Sequence, residues 1–477
     1  MVLALAGVLA TLAADRSAVG QANNGAVIEA LNVAGGGLPL VVLIGGMDGD
    51  IASVRRVKLE VEKFELTAPS HRRFQLIAIP MANPAKAQMR FPPAGVAYRE
   101  NPESHYLWRW LGINAPDLVL IDGEDPAQLA NALANNVVAG MGRIPARVGT
   151  LKAVKSPLAK SEARIELERR QSRSARDVAN ELASVYGHEF DDAVYVPAMS
   201  LIARVRLGEQ DDVVRLVAPF VNGAKDSLAK PTPSHLAGHL IFAELAGITH
   251  DPRYIDRVRA AADAAMPLHN EMSDAVFMGC PILAYAGRLT GDNKYFGMAA
   301  DHLRSIQQLC LRPDGLYRHS PLDEAAWGRG NAFPALGLAW MLSVFPKDHV
   351  MYEDMVREFQ NHMSALARFQ DASGMWHEVI DRPASYAEFS ATAMIATGMI
   401  RGIREGWLDE KSYRPRVARA WYSLLARIGP DGSLLDVCES TSRQKSLDDY
   451  LKRAASFGEE ARGGGMALLL ATELMSR

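Results

Sequence analysis

The sequence predicts a mostly α-helical protein, with a C-terminal (α/α)6 toroid preceded by a smaller α/β domain that has a mainly parallel sheet. Three observations carry this. Buried-strand runs alternate with a helical stretch over residues 38–122. After Ser174 strand-like runs vanish and apolar residues recur at helical spacing. Across that second region, short loop motifs return at regular intervals. Strand, helix and strand in that order argue for a parallel sheet. Repeated helix pairs either stack into an open solenoid or close into a ring.

Taken in chain order, residues 1–14 (MVLALAGVLATLAA) form an apolar run too short to span a bilayer as a helix. Small residues near positions 10–14 and 18–22 suit leader cleavage, although no Lys or Arg precedes Arg16. Residues 1–22 are therefore a candidate signal peptide, and the protein is expected to be periplasmic or secreted. The alternative is an ordinary helix or strand opening a cytoplasmic protein. Residues 23–145 form the α/β domain. Its strands are the run from Leu38 to the glycines Gly45 and Gly46, the run Phe74-Gln-Leu-Ile-Ala-Ile-Pro80, and Asp117-Leu-Val-Leu-Ile-Asp122. A helix over residues 51–66 separates the first two. Residues 146–172 are charged, lack apolar periodicity and read as a linker. Residues 173–477 hold roughly twelve helices by pattern.

Within this region Ala246-Gly-Ile-Thr-His-Asp-Pro-Arg-Tyr254 matches Gly287-Arg-Leu-Thr-Gly-Asp-Asn-Lys-Tyr295, with looser copies ending at Tyr352 and Tyr413. In each copy an apolar helix ends and a polar turn caps the next one. The opposite loops carry Gly315, Gly374 and Gly432, spaced 59 and 58 apart and suited to positive φ in tight turns. Six hairpins with alternating short turns and long loops fit a toroid whose long loops gather at one mouth.

Composition narrows the function. The 477 residues are 48% apolar and 22% charged, with a net charge of −3. This profile is globular and lacks the basic surplus of a nucleic-acid binder. The three cysteines, Cys280, Cys310 and Cys438, are too scattered for a disulfide framework or zinc cluster. No later stretch suits a membrane span, so stable membrane insertion is not expected.

The long loops concentrate polar and aromatic residues: His269 and Asp274, then His319, Trp327, Arg329 and Asn331, then Trp376, His377 and Glu388. Rings for stacking, an Arg for a carboxylate and an acid for proton transfer are what an acidic-sugar site requires. Each also has a structural alternative. Asp274 could cap a helix, Trp327 and Trp376 could be core, and Arg329 could tie a loop. His319 could be a satisfied loop histidine, and Glu388 could cap or bridge. His235 and His239 stand at i, i+4, but without an acidic HExxH context a metal pair is disfavoured.

The segment Asp274-Ala-Val-Phe-Met278-x-x-Pro281, together with Gly315-Leu-Tyr-x-His319, Trp327-Gly-Arg-Gly-Asn331, Gly374-Met-Trp376 and Glu388-x-Ser390, resembles unsaturated glucuronyl and rhamnogalacturonyl hydrolases. These are glycoside hydrolase families 88 and 105. The resemblance implies an (α/α)6 barrel that hydrates the C4=C5 bond of a terminal 4,5-unsaturated uronic acid on a pectin-type or related oligosaccharide. It implies Asp274 as general acid/base and His235, His269, Met278, His319, Trp327, Arg329, Asn331, Trp376 and Glu388 as substrate-binding residues. His235 falls in a stretch where the family carries a second acid. No metal or cofactor is expected.

Leu43-Ile-Gly-Gly-Met-Asp48-Gly-Asp-Ile51 and Ile79-Pro-Met-Ala-Asn83-Pro84 resemble the zinc carboxypeptidase core, with Asp48 and Ile51 at the ligand positions. Isoleucine cannot ligate a metal, so this resemblance implies a degenerate, pseudo-peptidase module. Two further functions stay open for the whole chain: a non-catalytic carbohydrate-binding or scaffold protein, and a saturated uronic-acid hydrolase on the same barrel.

Overall fold

The computed structural model describes residues 14–33, 35–265 and 271–476. The chain divides into two compact units, residues 1–169 and 170–477.

The first unit is a six-stranded sheet: β1 (Asp15–Gln21), β2 (Val27–Val33), β3 (Leu40–Ile44), β4 (Gln75–Ile79), β5 (Leu118–Ile121) and β6 (Ala146–Val148). Their spatial order is β1-β2-β4-β3-β5-β6. The four strands from β4 to β6 run parallel, while β1 and β2 add an antiparallel edge. β3 is central and wholly buried, as an uninterrupted Leu-Val-Val-Leu-Ile run requires. Helix α1 (Ile51–Glu65) starts where the Asp50 carboxylate accepts from the Ala52 and Ser53 amides. Helices α2 (Pro102–Asn114), α3 (Leu129–Asn135) and α4 (Glu162–Gln171) follow, the last crossing the boundary between units.

Two sequence readings need correction. Residues 15–21, within the candidate signal peptide, form edge strand β1; residues 1–13 of the apolar run lie outside the described residues. Residues 146–172, read as a linker, hold β6 and α4. A three-residue edge strand and a helix with few apolar residues leave almost no periodic signal.

The second unit is built from helix hairpins. Its helices are α5 (Ala175–Ala183), α6 (Tyr195–Arg206), α7 (Gln210–Val221), α8 (Pro233–Gly238), α9 (Leu240–Thr249), α10 (Pro252–Asp263), α11 (Ala275–Thr290) and α12 (Lys294–Cys310). They continue as α13 (Gly328–Val344), α14 (Tyr352–Arg368), α15 (Phe389–Arg404) and α16 (Glu410–Arg427). The hairpin β7 (Leu434–Cys438) and β8 (Ala455–Gly458) encloses the short α17 (Leu447–Leu451), and α18 (Ala461–Met475) ends the fold. Helices α11, α13, α15 and α18 are buried nearly all round, whereas α12, α14 and α16 bury one face. The buried helices touch in sequence: α6 to α8, α8 to α11, α11 to α13, α13 to α15, α15 to α18, and α18 back to α6.

Close contact between them depends on small residues. A Cβ on Gly337 of α13 would lie 2.7 Å from the Phe277 Cα of α11. One on Gly398 of α15 would lie 2.8 Å from the Ala335 carbonyl oxygen of α13. The loop glycines Gly315, Gly374 and Gly432 take φ of 84°, 100° and 78°, the left-handed turns that their motifs predicted.

Candidate active site

Helices α6, α11, α13, α15 and α18 start side by side. Tyr195 and Phe277, from the first turns of α6 and α11, and Phe333, from the second turn of α13, pack ring against ring at centroid distances of 5.5–6.0 Å. Phe389 opens α15, and a Cβ on Gly463 in the first turn of α18 would lie 3.3 Å from its ring. The N-terminal parts of these five helices gather at one end, the mouth, and the partial positive charge of helix N-termini favours an anionic ligand there.

Asp274 stands at that mouth, immediately before α11. It has helical φ and ψ (−52°, −30°) and its side chain makes no cap hydrogen bond, so it is not the N-cap its position suggested. Its Oδ1 lies 3.3 Å from His319 Nε2. Among the described residues neither atom has a hydrogen-bonding partner of good geometry, and neither does the adjacent Ser273 Oγ. Buried polar atoms are almost always satisfied, so three orphans in one cluster mark a place that receives a polar ligand. The backbone locks the cluster, since the Ser273 amide donates to the His319 carbonyl at 2.9 Å. Gly330 leaves it room: a Cβ there would lie 3.1 Å from Ser273 Oγ and 3.3 Å from His319 Cδ2.

His319 is fully buried, with its ring 4.5 Å from Trp327. The Arg329 guanidinium covers that Trp327 ring at 4.8 Å. Its Nη1 donates to Ser390 Oγ and the Cys438 carbonyl, and its Nη2 to the Glu439 carbonyl, at 2.8–3.1 Å. Burial alone would push Arg329 down; the polar groups around it, Cys438 and Glu388 foremost, hold it above its ordinary value. Met278, one turn below Asp274, is buried in the core beneath the mouth.

Four of the residues expected to bind substrate have other work. Glu388 is the N-cap of α15: its carboxylate accepts from the Ser390 and Ala391 amides and, at 2.9 Å, from the Cys438 amide. Asn331 is fully buried and brackets the Tyr317 backbone with two 2.8 Å bonds, one given and one received. Trp376 is core, its indole donating to the Leu366 carbonyl at 2.8 Å. His235 closes a capping box on α8 with Thr232, and its Nε2 lies 3.0 Å from Asp192 Oδ1. Trp376 and Glu388 sit in the long loops, Asn331 in the first turn of α13 and His235 on α8, and each of these places needs internal polar bonds to hold its shape. His269 lies outside the described residues.

Three residues at the mouth escaped the sequence reading. Tyr195 presents its ring beside Phe277 and Phe333, and burial raises its hydroxyl. Tyr450, on α17, puts its hydroxyl 2.8 Å from His319 Nδ1. Glu378 accepts from Trp327 Nε1 at 3.1 Å, and its carboxyl is raised well above the ordinary range by burial and by the neighbouring Glu388. Only Glu378 had a local signal, as part of Trp376-His-Glu378. Among the described residues no group of three or more His, Cys, Asp or Glu side chains could hold a metal ion, and no helix is long and apolar enough to cross a membrane.

Residues 210–477 match the family model described as Glycosyl Hydrolase Family 88. Among curated proteins, the chain is similar to the unsaturated rhamnogalacturonyl hydrolase YesR of Bacillus subtilis, at 26% identity over 223 residues, 45% of this chain and 62% of that protein. It is also similar to an unsaturated 3S-rhamnoglycuronyl hydrolase of Formosa agariphila, at 27% identity over 172 residues, 32% of this chain and 45% of that protein. Both matches span less than two thirds of the relative. Among solved structures, a possible member of the GH105 family from Klebsiella pneumoniae superposes with a TM-score of 0.55 at 23% identity, over 69% of this chain and 98% of that one. A possible member of the same family from Salmonella enterica gives 0.54 at 21% identity, over 68% and 97%. At these identities the likeness is one of fold. The family match spans more than half of the chain and includes Asp274, His319, Trp327 and Arg329, and on that ground the chain belongs to Glycosyl Hydrolase Family 88.

Proposed function

We propose that this protein is a glycoside hydrolase that releases a terminal 4,5-unsaturated uronic acid from pectin-type or related oligosaccharides, with its site at the mouth of a closed (α/α)6 toroid. The observation that carries this reading is the cluster of unpartnered polar atoms of Ser273, Asp274 and His319 at the gathered helix N-termini. The return of α18 to α6 supports closure of the ring. The names of the curated relatives support the substrate class.

In such a substrate C4=C5 belongs to an enol ether conjugated to the C6 carboxylate. Asp274 gives its proton to C4, and a water adds its oxygen to C5 and returns a proton to the carboxylate. The C5 hemiketal then opens: the C5–ring-oxygen bond breaks, leaving a ketone at C5 and a hemiacetal at C1 that expels the aglycone. No glycosyl-enzyme bond forms, so one carboxyl in this position suffices, unlike the paired carboxyls of ordinary glycosidases. Tyr195, only half-buried, offers a ring face for the sugar, Trp327 backs His319, and the helix N-termini with Arg329 supply the positive field for the uronate.

We read the α/β unit as a degenerate carboxypeptidase-like module. Its two motif loops follow the adjacent parallel strands β3 and β4 and are tied together, with the Asn83 side-chain amide donating to the Met47 carbonyl at 3.0 Å. Asp48, at a ligand position of that motif, accepts from the Asp50 amide at 2.9 Å.

Incubation with unsaturated pectin disaccharides tests the hydrolase reading through loss of ultraviolet absorbance from the conjugated double bond. Steady loss of absorbance with release of the aglycone is the expected result. Saturable binding without turnover would instead establish a carbohydrate-binding protein, and turnover only of saturated uronides would reassign the reaction.

A further inference from the structure

Tyr450 belongs to α17, inside the β7–β8 connection, far in sequence from every motif discussed above. Its oxygen accepts the Gln444 amide hydrogen at 3.2 Å, and the Ser320 hydroxyl bonds to it as well. With the Gln444 amide donating to the oxygen, the phenolic hydrogen can point at His319 Nδ1, 2.8 Å away and the shorter of the two contacts. An imidazole that accepts at Nδ1 and stays neutral must carry its hydrogen on Nε2, the atom that lies 3.3 Å from Asp274 Oδ1. The ring cannot turn away. It is fully buried, lies 4.5 Å from Trp327 and meets the Tyr450 ring edge-on at 5.6 Å.

We infer that Tyr450 is a positioning residue that holds His319 as the neutral Nε2–H tautomer, so that Asp274 faces a neutral donor and not an imidazolium. This deepens the reading of Asp274 as proton donor and rests on it. The distinction matters chemically. A cation within about 4–6 Å favours an ionised carboxylate, which cannot protonate C4. A neutral N–H steers the carboxyl without that penalty. Among the described residues, the other titratable or charged groups near this pair are Tyr195 from α6, Cys310 from the end of α12, Arg329 from α13, Glu271 ahead of α11 and Asp323 from the His319 loop, with Glu378 behind Trp327. The Tyr450 hydroxyl is the group placed to fix the tautomer of the ring.

Tyr450→Phe in the full chain tests this. It removes one oxygen and frees Nδ1 to bind a proton. With an unsaturated disaccharide, kcat should fall while KM changes little. The alkaline limb of the kcat profile should move to lower pH by about one unit, the low end of what a neighbouring cation does to a carboxyl. A uniform loss at every pH, or an unaltered profile, would overturn the assignment. A second measurement needs no turnover: imidazole nitrogen chemical shifts of the wild-type chain, with the His319 signal identified by its loss in His319→Gln. A neutral Nε2–H ring near neutral pH is expected. An Nδ1–H tautomer or an imidazolium there would refute the inference, whatever the substrate proves to be.

Discussion

At the residue scale the proposed mechanism turns on Asp274, whose carboxyl has one oxygen facing His319. Asp274→Asn keeps the shape and removes the proton. It should fold normally and lose on the order of 10²–10⁴-fold in kcat, the usual scale for a general acid. In heavy water the wild type should place deuterium at C4 of the released sugar. Near-normal turnover by the variant would end the mechanism. Arg329 has a double role. Its Nη1 and Nη2 hold the Cys438 and Glu439 carbonyls, so Arg329→Ala should weaken binding of an anionic substrate and also cost about 1–3 kcal/mol of stability. Urea melts alongside KM separate the two effects. Trp327-x-Arg329 was legible as a pair because both residue types are informative. Tyr450 was not legible, because its meaning lies in a contact 131 residues away.

At the element scale the mouth is shaped by caps and by close helix contacts. Glu388 caps α15 and also receives the Cys438 amide, so it couples the start of that helix to β7. Glu388→Ala should destabilise the fold by about 1–2 kcal/mol, the upper range for a lost cap, whereas Glu388→Gln retains an acceptor and should lose less. Comparable melting of the two variants would contradict the capping role. Gly337→Ala is a second test: its Cβ would fall 2.7 Å from the Phe277 backbone, separating α11 from α13 just below the site. The expected loss is about 1–3 kcal/mol, the cost of overpacking, with a drop in activity because Asp274 and Trp327 sit on the two helices being parted.

At the scale of the whole helical unit, the end opposite the mouth is closed by charge. Glu473, near the end of α18, meets Arg206 from the end of α6 at 2.8 Å and also pairs with Arg401 and Arg404 from the end of α15. Arg206 and Arg401 also lie over the Trp340 ring of α13, at 5.9 and 5.2 Å. Cations at helix C-termini complement the dipoles, just as the mouth at the N-termini complements an anion. Burial alone would raise the Glu473 carboxyl, but Arg401, Arg206 and Arg404 outweigh it and hold it at about 2, against 4.5 for an ordinary glutamate. A depressed carboxyl stabilises the fold above its unfolded value and loses that contribution as pH falls through the folded one. Stability should therefore decline as pH drops from about 4.5 towards 2, by up to roughly 3 kcal/mol from this group. Glu473→Gln should melt below the wild type at neutral pH, and the difference should close in acid. A constant difference across that range would disprove the linkage.

By itself the sequence determined the two-part organisation, the central strands β3, β4 and β5, the hairpin rhythm of the helical unit and the cluster of Asp274, His319, Trp327 and Arg329. These follow from periodicity, turn chemistry and motif, all of which are local. Tertiary structure alone decided which of the polar residues singled out keep atoms available for the proposed ligand. Asn331, Trp376, Glu388 and His235 have the right chemistry and the right neighbourhood, yet their polar atoms are engaged by backbone, cap or ion-pair partners. Asp274, His319 and Ser273 keep polar atoms unpartnered among the described residues. The difference is one of hydrogen-bond satisfaction in a buried place, and it depends on atoms brought together from helices far apart in the chain.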